Sequence, residues 1–390
     1  MLLAHKIAID PTVAQRIMLA QHAGTARFVY NWSLAEWNRQ YEAGEKPTAA
    51  KLKLQFNEIK YESWPWLKDI ARDAHSQPFD DLNTAFTRFF EKRGKYPRFK
   101  AKGKSRDSFY VANDRLELDG NQVRIPVIGW LRLREPLRFT GKIMSARVSR
   151  TADRWFISIQ VDVGDYEKPR TGNGEVGVDL GINSFAVTST GEVFTAPKPL
   201  GYFLKKLARF QRSFSRKQKG SKNREKLRVK IARLHARIAN IRRDFVHKLS
   251  TKLCRENQAV VLEDLSVAGM LKNRKLSRAI SDLGWGEFRR HLGYKSRIYG
   301  TELIVIDRWF PSSKTCSRCG EIKDSLSLSQ RTFRCDCGLQ IDRDLNAAKN
   351  ILTAGLAGRA CGDCGAGEHS VRETAVGEAR TKPRLLADAL

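Results

Sequence analysis

Nowhere in this chain do 18 uncharged apolar residues run together, and the opening MLLAHKIAIDPTVAQ has no long apolar core ahead of a cleavage site. Those two absences argue against a membrane-spanning helix and a secretory leader, and they predict a cytoplasmic protein with no membrane partner. Acidic residues are short: 42 Asp and Glu face 71 Lys and Arg, a formal charge of +29. Solubility needs only about 2 to 8 charges in a small domain, so this excess predicts a polyanionic partner, nucleic acid ahead of a membrane surface. Hydrophobic residues still make up 41%, which excludes a basic disordered tail. A repeat of solenoid spacing is absent too. Cysteine is sparse and unevenly spread: six of the seven fall in the last fifth, as Cys316/Cys319, Cys335/Cys337 and Cys361/Cys364. An odd count clustered in close pairs favours metal over disulfides.

What is present suggests two or three domains in 390 residues. Residues 1 to about 165 open with the alternating strand LAHKIAI and continue in helical stretches from Thr12 to Tyr41 and Gln77 to Lys92. They end in short strands such as QVRIPVIGWLRL and DRWFISIQVDV. This order predicts a small barrel or sheet interrupted by a helical insertion. The polar segment Gly164 to Gly174, GDYEKPRTGNG, reads as the linker. Beyond it EVGVDLGIN, SFAVTST and GEVFTA predict a three-strand meander. A long basic helical region, the strand QAVVLEDLS, a helix from Trp285 to Tyr299, the strand ELIVIDR, the cysteine segment and a helix from Arg343 follow. After Ala354 periodicity is lost, and the tail is expected to be disordered.

Three acids stand out against this pattern. Asp179 lies mid-strand in VGVDLGI, Glu263 ends the apolar run AVVLED, and Asp344 opens the helix DRDLNAAKNIL. A carboxylate inside an apolar element is costly unless a charge meets it. Any one of them alone reads as a cap or half of a salt bridge. Three on separate core elements form a cage for one or two divalent ions, magnesium or manganese, able to bridge the attacking and leaving oxygens of a phosphodiester. With the meander, the helix-interrupted strand and the closing helix they predict an α/β ribonuclease-H-like core. Two residues along a helix turn about 200°, so Asp342 and Asp344 cannot both face one site. Asp344 shares a face with Ala348 and Ile351 and is assigned to the metal; Asp342 sits where an N-cap belongs.

Cys316-Ser-Arg-Cys319-Gly is a knuckle spacing, and Cys335-Asp-Cys337-Gly supplies two further thiolates, enough for a closed tetrahedral structural zinc site. Residues i and i+2 on a strand point to one side, so the closely spaced pair is expected to reach the metal from a strand. Cys361-Gly-Asp-Cys364 is the competing pair, and Cys254, in an apolar helical stripe, reads as a buried hydrophobe.

VGVDLGINSFAV, VVLEDLSVAGM, SSKTCSRCG and DRDLNAAKNIL, in that order and at these gaps, closely resemble the transposon-encoded TnpB (OrfB) family, relatives of type V CRISPR effectors. YNWSL (30–34), KYPRFKAKG (95–103), QRSFSRKQKGSKNREK (211–226) and RRDFVHKLS (242–250) extend the resemblance over nearly the whole chain. It implies a prokaryotic, nucleoid-associated RNA-guided DNA endonuclease of an insertion sequence. Its partners would be a guide RNA derived from the transposon end and target double-stranded DNA beside a short flanking motif. The implied architecture is a RuvC-like nuclease domain over 175–314 and 339–354, split by a zinc-binding insertion over 315–338. An amino-terminal wedge β-barrel over 1–10 and 93–165, with a helical recognition insertion over 11–92, would precede it; 166–174 would link the two and 355–390 would trail. The family's nuclease acids fall on Asp179, Glu263 and Asp344, which agrees with the spacing argument. Two departures stand out: a one-residue gap in Cys335-Asp-Cys337 where many relatives have two, and Ile341 where many have histidine.

Between Lys205 and Lys248 stand 17 Lys and Arg against 2 Asp and Glu, so this ninth of the chain holds about half of the +29. A solvated helix would alternate signs for i,i+4 support, and this one barely does. Lys205, Lys206, Arg212, Arg216, Lys217, Lys219, Lys222 and Arg243 are read as phosphate contacts that position a guide RNA or its heteroduplex without reading sequence. Arg98 and Lys100, in the stretch Tyr96 to Lys100, either join them or belong to an ordinary turn. Two other classes stay open: a guided DNA-binding regulator without cleavage, whose signature would be a missing acid, and a transposase or structure-specific nuclease, which would leave the zinc segment and basic surface without a use.

Overall fold

The computed structural model describes residues 1–327 and 329–360; Cys361, Cys364 and the rest of the tail lie outside the described residues. Contacts divide the chain into two units, one of Met1–Glu167 with Lys198–Asp244, the other of Lys168–Pro197 with the chain from Phe245 onward.

In the first unit β1 (Leu2–Ile9) leads into helices α1 (Val13–Glu42), α2 (Ala49–Ser63), α3 (Arg72–Ser76) and α4 (Pro78–Phe90). Strands β2 (Ser108–Ala112), β3 (Glu117–Asp119), β4 (Gln122–Ile125), β5 (Gly129–Arg132), β6 (Lys142–Thr151) and β7 (Arg154–Asp162) follow. They form two sheets, of order β1-β7-β6-β2 and β3-β4-β5, joined by a bridge from Ile9 to Leu133. Alternation fixes which side is dry: Ile7, Ile9, Ile157 and Ile159 of one sheet meet Val123, Ile125 and Leu131 of the other in one core. Helices α1 and α2 start where a threonine, Thr12 or Thr48, accepts from a free amide of the first turn. At α1 the Thr12 hydroxyl accepts from the Gln15 amide at 3.3 Å, and the Gln15 side chain accepts from the Thr12 amide at 3.0 Å, a capping box. Val29, Leu34, Leu52, Phe56, Phe79 and Phe86 close a second, helical core. Helix α5 (Pro199–Ser215) and α6 (Lys222–Glu256), as far as Asp244, belong to this unit and pack on Phe203, Leu207, Leu234 and Ile238.

The second unit is built on one sheet. Its elements are β8 (Gly174–Asp179), β9 (Ala186–Thr188), β10 (Val193–Phe194), β11 (Asn257–Glu263), α7 (Val267–Met270), α8 (Ser277–Leu283), α9 (Trp285–Tyr299), β12 (Glu302–Ile306), β13 (Thr332–Arg334), β14 (Gln340–Asp342) and α10 (Arg343–Ala360). The order is β10-β9-β8-β11-β12, with an antiparallel meander at one side and β8, β11 and β12 parallel at the other. Ala259 to Leu262 are all buried, as a central parallel strand with both faces covered requires.

Helix α10 covers part of that sheet at backbone distance. A Cβ added at Gly177 of β8 would stand 2.2 Å from the Ala348 carbonyl oxygen and 2.7 Å from the Leu352 nitrogen. Ala347, Ala348 and Ile351 are buried in this contact, the face the sequence pattern assigns to the sheet. The same pattern ends the helix at Ala354, but the structure continues it to Ala360. Gly355 looks like a terminator by composition, yet it is a packing residue: a Cβ there would lie 2.4 Å from Val261 Cγ1. Gly177→Ala is therefore expected to destabilise the protein by about 3 kcal/mol, because backbone cannot yield as a side chain can. Gly293→Ala, inside α9 with nothing within 4 Å of its added Cβ, is expected to stabilise by about 0.5–1 kcal/mol through helix propensity. Urea unfolding of the two variants checks the pair; equal effects would show that close packing at Gly177 does not matter.

Candidate functional site

The parallel pairing of β8 with β11 sets Val178 opposite Leu262, and the next residue on each strand is an acid, Asp179 and Glu263. Both stand at the carboxyl ends of neighbouring strands, where ligands bind in open α/β sheets. The start of α10 brings Asp344 within electrostatic reach. Asp179 is pushed up to about 7, first by burial and then by the negative charges of Glu263 and Asp344. Burial also raises Glu263, opposed by a hydrogen bond from the Ser312 hydroxyl. Arg343 lies 3.1 Å from the Asp344 carboxylate and Arg331 lies 3.8 Å from it. Asp342 caps the helix as expected: its Oδ1 accepts from the amides of Asp344 at 2.9 Å and Leu345 at 3.0 Å.

The thiols converge more tightly. Among the described residues, Cys316, Cys319, Cys335 and Cys337 are the group whose ligand atoms lie within 4.8 Å of one another; Glu263 and Asp344 act on Asp179 by charge, but the three carboxylates are not gathered that closely. Soft thiolate donors at this spacing fit zinc. The first pair sits on a knuckle, with the Gly320 amide donating to the Cys316 carbonyl at 3.0 Å. The expectation that Cys335 and Cys337 act from a strand is corrected. Strand β13 ends at Arg334, and Cys335 to Gly338 form a tight turn in which the Gly338 amide donates to the Cys335 carbonyl at 3.0 Å. Gly338 has φ +87°, the left-handed conformation glycine allows, so the short gap makes a second and tighter glycine knuckle. Burial opposes ionisation of Cys316, but the amides of Cys319 and Arg318 and the neighbouring thiols bring it down to about 7. At Cys335 the Cys337 amide pulls the other way, yet burial, the Glu321 carboxylate and the adjoining thiols push it up to about 11. Four thiols this close share protons unless a cation takes their place. Cys254 is fully buried in the core, burial pushing its thiol up to about 12.

Sequence reasoning missed the residues that join the two sites. Asn346 and Asn350 are buried on α10 and hold the segment before the first knuckle. The Asn346 side chain donates to the Thr315 carbonyl at 2.6 Å and accepts from the Ser317 amide at 3.0 Å; Asn350 donates to the Ser312 and Thr315 carbonyls at 2.8 and 2.6 Å. Their signal was present, since two asparagines four apart on the apolar face of a helix must find partners.

In the first unit Arg209, Arg212, Ser213, Arg216 and Lys217 line a 440 Å³ cleft at the end of α5. Arg209 was absent from the sequence-based set; Arg212, Arg216 and Lys217 were in it. Arg224 braces this end, its guanidinium 4.2 Å from the Phe214 ring centroid and donating to the Lys217 carbonyl at 2.6 Å. Lys205, Lys206, Lys219, Lys222 and Arg98 are exposed and Arg243 is half-buried. Lys100 is placed differently: its ammonium stands 3.5 Å from the Tyr30 ring centroid, and its backbone is clasped by the Asn31 side chain at 2.7 and 2.8 Å.

No helix among the described residues is long and apolar enough to cross a membrane. The fold is shared with a solved complex, that of Cas12f1 with its single guide RNA and target DNA, at a TM-score of 0.55 and 15% identity over 87% of this chain and 82% of that one. Family models match in three places: the OrfB_IS605 family, described as "Probable transposase", over 158–274; the TNB domain of Cas12f1-like proteins over 285–351; and the helix-turn-helix domain of OrfB_IS605 over 1–46. In this chain the last of these spans β1 and one long helix. These matches define an α/β protein that shares the Cas12f1 fold, with a cysteine segment set into its second unit. The chain belongs to the OrfB (TnpB) family of IS605-type insertion sequences: it is 44% identical to a "Putative RNA-guided DNA endonuclease" of Streptomyces pristinaespiralis, over 92% of this chain and 91% of that one. It is 36% identical to "Putative RNA-guided DNA endonuclease InsQ" of Escherichia coli K12, over 92% and 94%.

The displaced titration of Asp179 has a thermodynamic consequence. A carboxyl that titrates near 3.8 unfolded and about 7 folded favours the folded state while protonated, and that stability is lost as pH rises from 3.8 through 7. With chelator present, Asp179→Asn should raise stability at pH 8 by at most about 4 kcal/mol and change it little at pH 4. Denaturant titrations at the two pH values check this; an equal gain at both would show that the carboxyl is not desolvated.

Proposed function

We propose that this chain is the RNA-guided DNA endonuclease of an insertion sequence, cutting double-stranded DNA matched to a guide RNA beside a short flanking motif by metal-dependent phosphodiester hydrolysis. The observation that carries the reading is Asp179, a carboxyl held up to about 7 by burial and by two further acids at the same edge of the sheet. Such crowding of negative charge fits a hard divalent cation, magnesium or manganese, with Asp179, Glu263 and Asp344 as its oxygen ligands. A cation held there would polarise the scissile phosphate and lower the pKa of a water. Ser312 orients Glu263, Asp342 secures the first turn of α10, and Arg343 and Arg331 bring positive charge to the side of Asp344 where a phosphate must approach.

In this reading the sheet of the second unit with α10 is the RuvC-like, ribonuclease-H-like core, over 175–314 and 339–354. The segment 315–338 is its zinc-binding insertion, with Cys316, Cys319, Cys335 and Cys337 as ligands. Residues 1–10 and 93–165 are the wedge β-barrel, 11–92 the helical recognition insertion and 166–174 the linker. The guide RNA derives from the transposon end and lies along α5 and the start of α6, where Lys205, Lys206, Arg212, Arg216, Lys217, Lys219, Lys222 and Arg243, now with Arg209, meet its phosphates. Arg98 is an outlying contact, and the ammonium of Lys100 reaches nucleic acid only by leaving Tyr30. Relatives named as RNA-guided endonucleases support both partners.

Asp179→Ala, Glu263→Ala and Asp344→Asn are each expected to abolish cleavage of a matched duplex while leaving guided binding nearly intact. Asp342→Asn should keep most activity, since asparagine caps a helix almost as well as aspartate. Gel assays of cleavage and binding test the set; an Asp342→Asn protein as inactive as Asp344→Asn would reverse the two assignments. Replacing Arg212, Arg216 and Lys217 together by Gln should weaken RNA binding for every guide sequence alike and reduce the slope of log K against log salt by about 2 to 3. An unchanged slope would move the RNA elsewhere.

A further inference from the structure

The turn that leaves the sheet after β12 presents a side chain with no part in the reading above. Trp309 is 83% exposed. Exposed aromatics scattered singly need no explanation, but this one stands on a fixed base beside the acids. Its amide donates to Asp307 Oδ1 at 2.7 Å, the Phe310 amide to the Asp307 carbonyl at 3.2 Å, and the Ser312 amide to the Phe310 carbonyl at 2.8 Å. Both shoulders of the turn hold the acidic edge of the sheet. On one side Arg308 pairs with Asp264, the residue after Glu263; on the other the Ser312 hydroxyl donates to Glu263 itself. Arg289 joins Arg308 on Asp264, so two guanidinium groups surround that carboxylate.

An exposed indole on a turn braced by hydrogen bonds, with two guanidinium groups nearby, has the composition of a platform for single-stranded nucleic acid, aromatic face to base and guanidinium to phosphate. A base can stack there only if it is unpaired. We infer that Trp309 is a positioning residue that stacks a base of single-stranded DNA next to the scissile bond. The inference rests on the nuclease reading, which makes DNA the strand at these acids.

The test uses the protein purified with the RNA it carries and a duplex matched to that RNA, the cut strand bearing an abasic nucleotide at successive positions around the cut. Trp309→Ala should slow single-turnover cleavage about tenfold, Trp309→Phe should restore most of the rate, and guided binding should not change. At one position the abasic substitution should slow the wild type by a similar factor and have no further effect in Trp309→Ala. The inference alone is overturned if Trp309→Ala cuts at the wild-type rate, if the abasic and Trp309 effects multiply at every position, or if the variant loses RNA instead. A wild-type protein that does not cut the unmodified duplex overturns the nuclease reading, and this inference with it.

Discussion

The second unit depends on one contact, the seating of α10 against β8 at Gly177. Because nothing larger than hydrogen fits between that residue and the Ala348 carbonyl, helix and strand meet at backbone distance. Everything the helix carries is then fixed relative to the sheet. Its first turn, capped by Asp342, brings Asp344 to the edge that Asp179 and Glu263 occupy. Its next turns point Asn346 and Asn350 at the carbonyls of Ser312 and Thr315, just before the first thiol. A single packed helix thus sets the third acid and anchors the cysteine segment, which is why metal-type thiols lie beside paired carboxylates in the sequence.

Charge is distributed to the same end. A chain of +29 concentrates three carboxylates at one sheet edge, where burial and mutual repulsion hold a proton on Asp179 near neutrality. Arginines stand around the cluster, Arg343 and Arg331 at Asp344, Arg289 and Arg308 at Asp264, and Arg343 draws Asp179 down against the acids that push it up. The positive excess lies elsewhere, much of it on the nearly acid-free α5 and the start of α6.

Features governed by a few neighbouring residues were legible in the sequence. The helix beginning at Thr12, the helix from Trp285 to Tyr299, the alternation of β1 and β7 and the capping role of Asp342 follow from periodicity and end chemistry, and the structure repeats them. The register that aligns Asp179 with Glu263 was half legible, as acids ending apolar runs. What escaped depends on partners distant in sequence or on turn geometry. Gly355 resembles a helix terminator until Val261 is seen against it. Cys335 and Cys337 look like strand neighbours until Gly338 closes a turn behind them. Lys100 belongs by composition to a basic stretch, and only the fold shows Tyr30 beneath its ammonium. The polar face of α10 gave the clearest overlooked clue, because asparagines among buried alanines announce hydrogen bonds to something not yet identified.

Among the described residues the cysteine segment has a small apolar core, Cys316, Phe333 and Cys335, with Leu326, Leu339 and Ile341 leaning on it. So small a core offsets little of the entropy of ordering residues 315–338 at about 1 kcal/mol or more each. A metal bound by the four thiols would supply the cross-link that so small a core lacks. The segment's opening free energy would then depend on chemistry at the four sulfurs as well as on packing, and it would open before the sheet behind it. In hydrogen exchange it would form its own low-protection class, and its protection would follow the redox and metal status of the surroundings while the sheet behind it kept its own.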